Sequence, residues 1–172
     1  MFICDEVRAP ASPAAAAARL AALARGSSLA QVSHAAWDSG ITAQPSPELA
    51  VLRLVRVQCR GPGHPGPVQA DAWGGGRGGK KALIVRWEAA AGNAVPFAAL
   101  DADITLIPDG DHAVLLGLAG VYRTPPGTRP DQLAVRTAAA VTTRALLIGI
   151  SDAISNLGTG VCTGDSEDRT NR

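Results

Sequence analysis

The feature that most constrains this chain is the stretch 129–156. It reads as one long helix that is apolar but carries polar residues at helical spacing. At about 100° per residue, Leu133, Ala140, Val141, Leu147, Ile148 and Ile154 fall on one side. Thr137, Arg144 and Ser151 fall on that same side at seven-residue intervals. A guanidinium within a core-facing stripe requires a partner or a wet cavity, because a bare buried charge is prohibitively costly. The pattern therefore predicts a walled pocket beneath this helix, with Arg144 in it.

The rest of the chain supplies the wall. Residues 2–9 alternate loosely and read as a first strand. Ser12 and Pro13 then open a helix, Ser12 as cap and Pro13 in a first turn whose N–H would be unpaired anyway. The alanine-rich run 14–24 has high helix propensity, and Gly26 is placed to end it in a left-handed conformation. A second short helix is expected over 27–37, capped by Ser27 or Ser28, followed by a proline-containing connector over 41–48. The period then becomes strand-like. Strands are expected at 50–60, 68–73, 82–90, 97–107 and 112–123. Within them, Leu83, Val85 and Trp87 share one face, opposite Arg86 and Glu88. Leu100, Ala102, Ile104 and Leu106 point inward, opposite Asp101, Asp103 and Thr105. Pro108-Asp109-Gly110-Asp111 spells a tight turn, and the prolines of 124–127 cannot continue a ladder. Pro130 and Asp131 are first-turn residues for the long helix, and Gly149 inside it costs about 1 kcal/mol against Ala, which a close approach to the sheet would explain. The expected fold is α+β: a curved antiparallel sheet wrapped around a long C-terminal helix, with two short helices after the first strand. It occupies residues 1–157, and the polar tail 158–172 is expected to be disordered.

Composition excludes several function classes. Net charge is +1 and aromatics are 3%, so nucleic acid, which needs a basic surface and stacking rings, is not an expected partner. The acidic Asp5 and Glu6 stand where a signal peptide would be cationic and then apolar, and no apolar run is expected to span a membrane, which leaves a cytoplasmic location. Cys4, Cys59 and Cys162 lack ligand spacing, as do His34, His64 and His112, so no metal site, disulfide framework or cofactor is expected. The glycine runs at 61–66 and 74–79 spell phosphate-binding motifs but do not lie between a strand and a helix, and Pro62 and Pro65 remove amide donors. They read as hairpin loops, with Arg77, Lys80 and Lys81 as a basic lip. No nucleophile elbow is present, and no catalytic residue is assigned. Asp101 and Asp103 are expected to form a surface ladder with Arg86 rather than a carboxylate pair for chemistry.

Particular residues then carry a resemblance. Glu6-Val7-Arg8-Ala9-Pro10, followed by a helix ending in Arg19-Leu20-Ala21-Ala22-Leu23, resembles the opening of the START-like (SRPBCC, helix-grip) superfamily, although Ala16 and Ala17 stand where such helices often carry Trp. Arg86-Trp87-Glu88-Ala89, the segment 97–103, Gly120-Val121-Tyr122-Arg123 with Pro125-Pro126-Gly127, and the segment 140–147 resemble a bacterial branch of that superfamily without an assigned ligand. The resemblance implies a hydrophobic cavity between sheet and helix, in which members bind lipids, sterols, polyketides or quinones and some act as aromatases and cyclases. On this reading Arg144, Tyr122, Trp87 and Thr137 are the candidate ligand-binding residues, and a small hydrophobic or amphipathic molecule is the expected partner. A polyketide aromatase/cyclase using the same cavity is the alternative. A protein-interaction module with a collapsed interior is another, which the small Ala-rich side chains keep open. For Arg144 the alternative to ligand contact is pairing with an acid or snorkelling past the sheet edge.

Overall fold

The computed structural model describes residues 1–43, 52–60, 82–91, 97–123 and 132–156. Five strands form one antiparallel sheet: β1 (Phe2–Ala9), β2 (Leu52–Arg60), β3 (Ala82–Ala91), β4 (Phe97–Pro108) and β5 (Val114–Tyr122). Their spatial order is β1-β5-β4-β3-β2, so β2 to β5 form a meander and β1 closes onto β5. Three helices accompany it: α1 (Pro13–Arg25), α2 (Ser28–Ala43) and α3 (Gln132–Asn156). This is the α+β helix-grip order expected from the sequence, a curved antiparallel sheet with a long C-terminal helix. The expected strand over 68–73, both glycine runs, the basic lip, the 124–127 segment and the tail lie outside the described residues.

Alternation fixes the faces of the sheet. Leu83, Val85, Trp87 and Ala89 of β3 are buried, as are Leu100, Ala102 and Ile104 of β4 and Val114, Leu116, Leu118 and Tyr122 of β5. The opposite face carries the charges. Arg86 lies 3.4 Å from Asp101 and 3.8 Å from Glu88, Arg56 pairs with Glu88 at 3.2 Å, and Arg123 pairs with Asp101 at 3.0 Å. These partly exposed pairs link β2, β3 and β4 and the residue that follows β5, each contributing little on its own. Asp103 projects from the same face and is exposed. At the β4–β5 turn Gly110 adopts φ +79°, the left-handed conformation that glycine takes without a Cβ clash. The Asp109 N–H donates to Ala113 O at 2.9 Å, and Arg8 of β1 holds the Asp109 carboxylate at 2.6 Å.

The helices depart from expectation in informative ways. Ser12 caps α1, its hydroxyl accepting from Ala15 N at 3.4 Å, but Gly26 ends the helix in an extended conformation (φ −95°) rather than a left-handed one. The second helix does not stop at Trp37; it continues to Ala43 and buries Gly40. This matters because α3 does not cover the sheet alone. It lies along β1 and β5, while α2 packs against α3 and reaches β2 at the far edge. Two close approaches set the seam between α2 and α3. A Cβ on Gly40 would lie 2.7 Å from Ala138 O and would overlap the Thr142 hydroxyl. A Cβ on Gly149 would lie 2.6 Å from Val32 Cγ1. Gly149 thus serves helix–helix packing and not the sheet contact anticipated for it. The two pairs also show that α2 and α3 run antiparallel. At the end of α3, the Arg19 guanidinium of α1 donates to the carbonyls of Ile154 and Ser155, which supplies cationic donors to orphan C-terminal acceptors.

The segment Leu133–Ser155 is long and apolar enough to cross a membrane by length and composition, contrary to the expectation that no run would be. In this fold it is the core helix, and half of its most apolar window is buried.

Candidate functional site

The concave face of the sheet brings one aromatic row together. Strand pairing sets Trp87 opposite Leu100, and Leu100 opposite Tyr122. The three side chains therefore stand abreast on β3, β4 and β5, with Leu100 as the floor between two rings. Alternate strands are about 9.5 Å apart, so the outer rings do not meet directly. Trp37 of α2 bridges them from above. Its ring centroid lies 6.2 Å from Trp87 in an edge arrangement (76°) and 6.4 Å from Tyr122 in a near-parallel one (17°). Both fall in the range of favourable aromatic pairs. Trp37 is delivered by the helical face Leu29, Ser33, Ala36, Trp37 and Gly40, all buried at spacings of three, four and one.

This aromatic triangle is buried, yet both of its indole nitrogens lack partners among the described residues. The Nε1 atoms of Trp37 and Trp87, Oγ of Ser33 and Oγ1 of Thr143 are inaccessible and have no hydrogen-bond partner. Helix hydroxyls usually bond the preceding turn, as Ser39 does to Ala35 O and Ser155 to Ser151 O, both at 2.8 Å. Ser33 and Thr143 do not. Ser33 lies one turn before Trp37 on the buried face of α2, and Thr143 is a buried residue of α3. Each such unpartnered buried group costs about 1–3 kcal/mol.

The electrostatics of the junction are neutral. Among the described residues the buried polar side chains are Ser33, Thr142, Thr143 and Ser151, with no formal charge. Tyr122 is 3% exposed. Burial pushes its phenol up from 10.0 to about 12, because the phenolate would have to leave water, so it is a neutral hydroxyl at any ordinary pH.

The residues expected at the site are thus divided. Trp87 and Tyr122 face the concavity together. Thr137 is half-buried on α3. Arg144 is not in the interior. Its side chain is 53% exposed, and its guanidinium pairs with Asp5 Oδ1 at 3.2 Å and donates to Glu6 O at 2.8 Å, on the edge strand β1. The expectation of a core-facing Arg144 is corrected here, and the physical reason is the phase of α3. Its buried residues are Ala134, Val135, Ala138, Ala139, Thr142, Thr143, Leu146, Leu147, Ile150, Ser151 and Ile154, whereas Leu133 (69% exposed), Ala140, Arg144 and Ile148 look outward. The guanidinium follows the alternative course, past the sheet edge to an acid. Ser33, Trp37 and Thr143 are the members that sequence reading missed. The 29-33-36-37-40 spacing was the available signal, obscured by ending the helix at Trp37.

No protein-family model matches the chain, and no curated protein matches it in sequence. Solved structures similar to it include the Zhui aromatase/cyclase from Streptomyces sp. R1128 (11% identity, TM-score 0.39, 90% of this chain and 93% of that one). They also include Ara h 8.0201 (13%, 0.36, 90% and 97%) and a point mutant of norcoclaurine synthase from Thalictrum flavum in complex with a transition-state analogue (14%, 0.34, 91% and 92%). At these values the likeness assigns neither ligand nor activity to this chain.

Proposed function

We propose that the protein binds a small, largely apolar molecule at the junction of α2, α3 and the sheet. The observation that carries this reading is the pair of unpartnered indole Nε1 atoms of Trp37 and Trp87 in the aromatic triangle, with unpartnered buried hydroxyls on Ser33 of α2 and Thr143 of α3. A ligand entering between Trp37 and the sheet row exchanges aromatic contacts for aromatic contacts and gives the stranded donors acceptors. Ligand sites commonly have this make-up, an apolar lining with a few placed polar groups. Affinity comes from apolar burial at about 25 cal/mol per Å², less the costs of association. Thr137 is half-buried on α3, and Arg144 has no part in this version of the site.

Binding is favoured over turnover by the same inventory. The buried hydroxyls and the neutral Tyr122 phenol can donate hydrogen bonds, but among the described residues no buried carboxylate or imidazole stands ready to accept a proton. The test is native mass spectrometry of the protein purified from its own host, before and after denaturation. A co-purifying small molecule released on unfolding supports the proposal. A single unliganded mass, together with no rise in Tm across a panel of aromatic and lipid probes, overturns it.

A further inference from the structure

We infer that the Asp5–Arg144 pair caps the open edge of the sheet, and that with the cap removed β1 takes the β1 of a second copy of this chain as an antiparallel neighbour. Met1 exchanges both backbone hydrogen bonds with Tyr122, at 2.8 and 2.9 Å. Alternation along β1 then turns the N–H and C=O groups of Phe2, Cys4, Glu6 and Arg8 away from β5. Among the described residues no strand pairs with β1 on that side. Such an edge is a template for another strand. Both edge groups of Glu6, in the middle of the row, are nevertheless taken. Its N–H donates to Asp5 Oδ1 at 2.8 Å, and its carbonyl accepts from the Arg144 guanidinium at 2.8 Å. The same Asp5 oxygen holds Arg144 at 3.2 Å, so the two side chains close a circuit around one residue. As an ion pair this contact is half-exposed and contributes little. As a cap it fills the two positions that a neighbouring strand needs.

The residues around the cap suit a second copy. A two-fold axis through Val7 sets Glu6 opposite Arg8 of the second copy on the convex face, and Val7 opposite Val7 and Asp5 opposite Ala9 on the concave face. Opposite charges meet there and like charges do not. Arg8 already holds Asp109, but its side chain is 67% exposed and its fork has donors to spare. The central backbone bonds of this register are those of Glu6, the groups now capped. On α3, Ala140 and Ile148 flank Arg144 one turn away on either side and are exposed, which leaves apolar surface beside the same edge.

The test uses the full chain and no ligand, so its outcome is separate from that of the binding proposal. Sedimentation velocity compares the wild type with Asp5→Ala, Arg144→Leu and the double variant, each checked for a cooperative urea transition. Asp5→Ala uncovers the Glu6 N–H and Arg144→Leu its carbonyl. The double variant is expected to self-associate at least ~10-fold more tightly than the wild type, the effect of freeing backbone groups that then bond across the axis. The single variants are expected to shift the same way by less, and they decide the matter where the double variant does not fold. Glu6→Pro, added to the double variant, removes the edge N–H and leaves the β5 ladder intact, as an edge-facing position allows. It is expected to return association to the wild-type level. Folded variants that associate no more than the wild type overturn the inference. So does association that Glu6→Pro leaves in place, or a wild type whose own association Glu6→Pro abolishes. Unfolding of both single variants overturns it as well, because a cap on an exposed edge is not needed for folding.

Discussion

Thr143→Val should make the unliganded protein more stable and a worse binder. Thr and Val have nearly the same shape and helix propensity, so the exchange removes a hydroxyl and little else. Thr143 is 2% exposed and its Oγ1 has no partner. A buried hydroxyl in that condition costs about 1–3 kcal/mol, which its removal returns as stability. For a chain of this size each kcal/mol moves Tm by about 2–4 °C, so the variant should melt roughly 2–12 °C higher. Urea unfolding of protein refolded from denaturant, to strip any guest, gives the free-energy change directly, with an unchanged slope indicating an unchanged fold. The same variant should lose most of the stabilisation that a bound probe gives the wild type. A loss of about 1 kcal/mol or more in the stripped protein would refute this, because it would mean that the hydroxyl is already satisfied. A gain in stability with undiminished binding would remove Thr143 from the site.

Four further outcomes follow from the geometry. Gly40→Ala drives a methyl against backbone at Ala138 O, so the overpacking outweighs the ~1 kcal/mol gain in helix propensity and the variant loses about 1–3 kcal/mol in urea unfolding. Gly149→Ala meets a side-chain methyl of Val32 instead, with everything else 3.8 Å away, and should cost measurably less in the same assay. Arg144→Leu breaks an exposed pair and should shift stability by no more than about 1 kcal/mol, with probe affinity unchanged; a large loss of affinity would return Arg144 to the site. Tyr122 is the sole tyrosine, so an absorbance titration reads it alone. Its folded value of about 12 lies above the unfolded 10.0, so stability is intact below pH 10 and is lost as pH rises toward 12, with phenolate appearing together with unfolding. Phenolate formed near pH 10 in folded protein would contradict the burial of Tyr122.

The sheet was legible because its strands alternate strictly. Leu83-Val85-Trp87 and Leu100-Ala102-Ile104 admit one inward face, since a slip by one residue would bury Arg86 or Asp101. The phase of α3 was not legible. Leu133, Ala140 and Ile148 are apolar on the outer face, while Thr142, Thr143 and Ser151 are polar on the inner one. Hydrophobic periodicity loses its discrimination on a helix apolar around most of its circumference. Leu147, Ser151 and Ile154 were placed correctly, but Arg144 was drawn inward by neighbours that themselves face water. The extent of α2 was not legible: beyond Trp37 the helix continues through Gly40, a poor helix former whose missing side chain makes room for Thr142. With α2 shortened, Trp37 had no face, and the aromatic triangle, which depends on long-range register between β3, β4 and β5, could be only half assembled as Trp87 and Tyr122.

The central claim is that the indole N–H groups of Trp37 and Trp87 wait for an acceptor. Nitrogen-15 labelling of the indoles reads this directly, with signals assigned by single Trp→Phe exchanges. On addition of a probe that raises Tm, the Trp37 or Trp87 N–H resonance is expected to move downfield saturably, in step with that rise. Resonances already at hydrogen-bonded positions in the stripped protein, and unmoved at saturation, would contradict it.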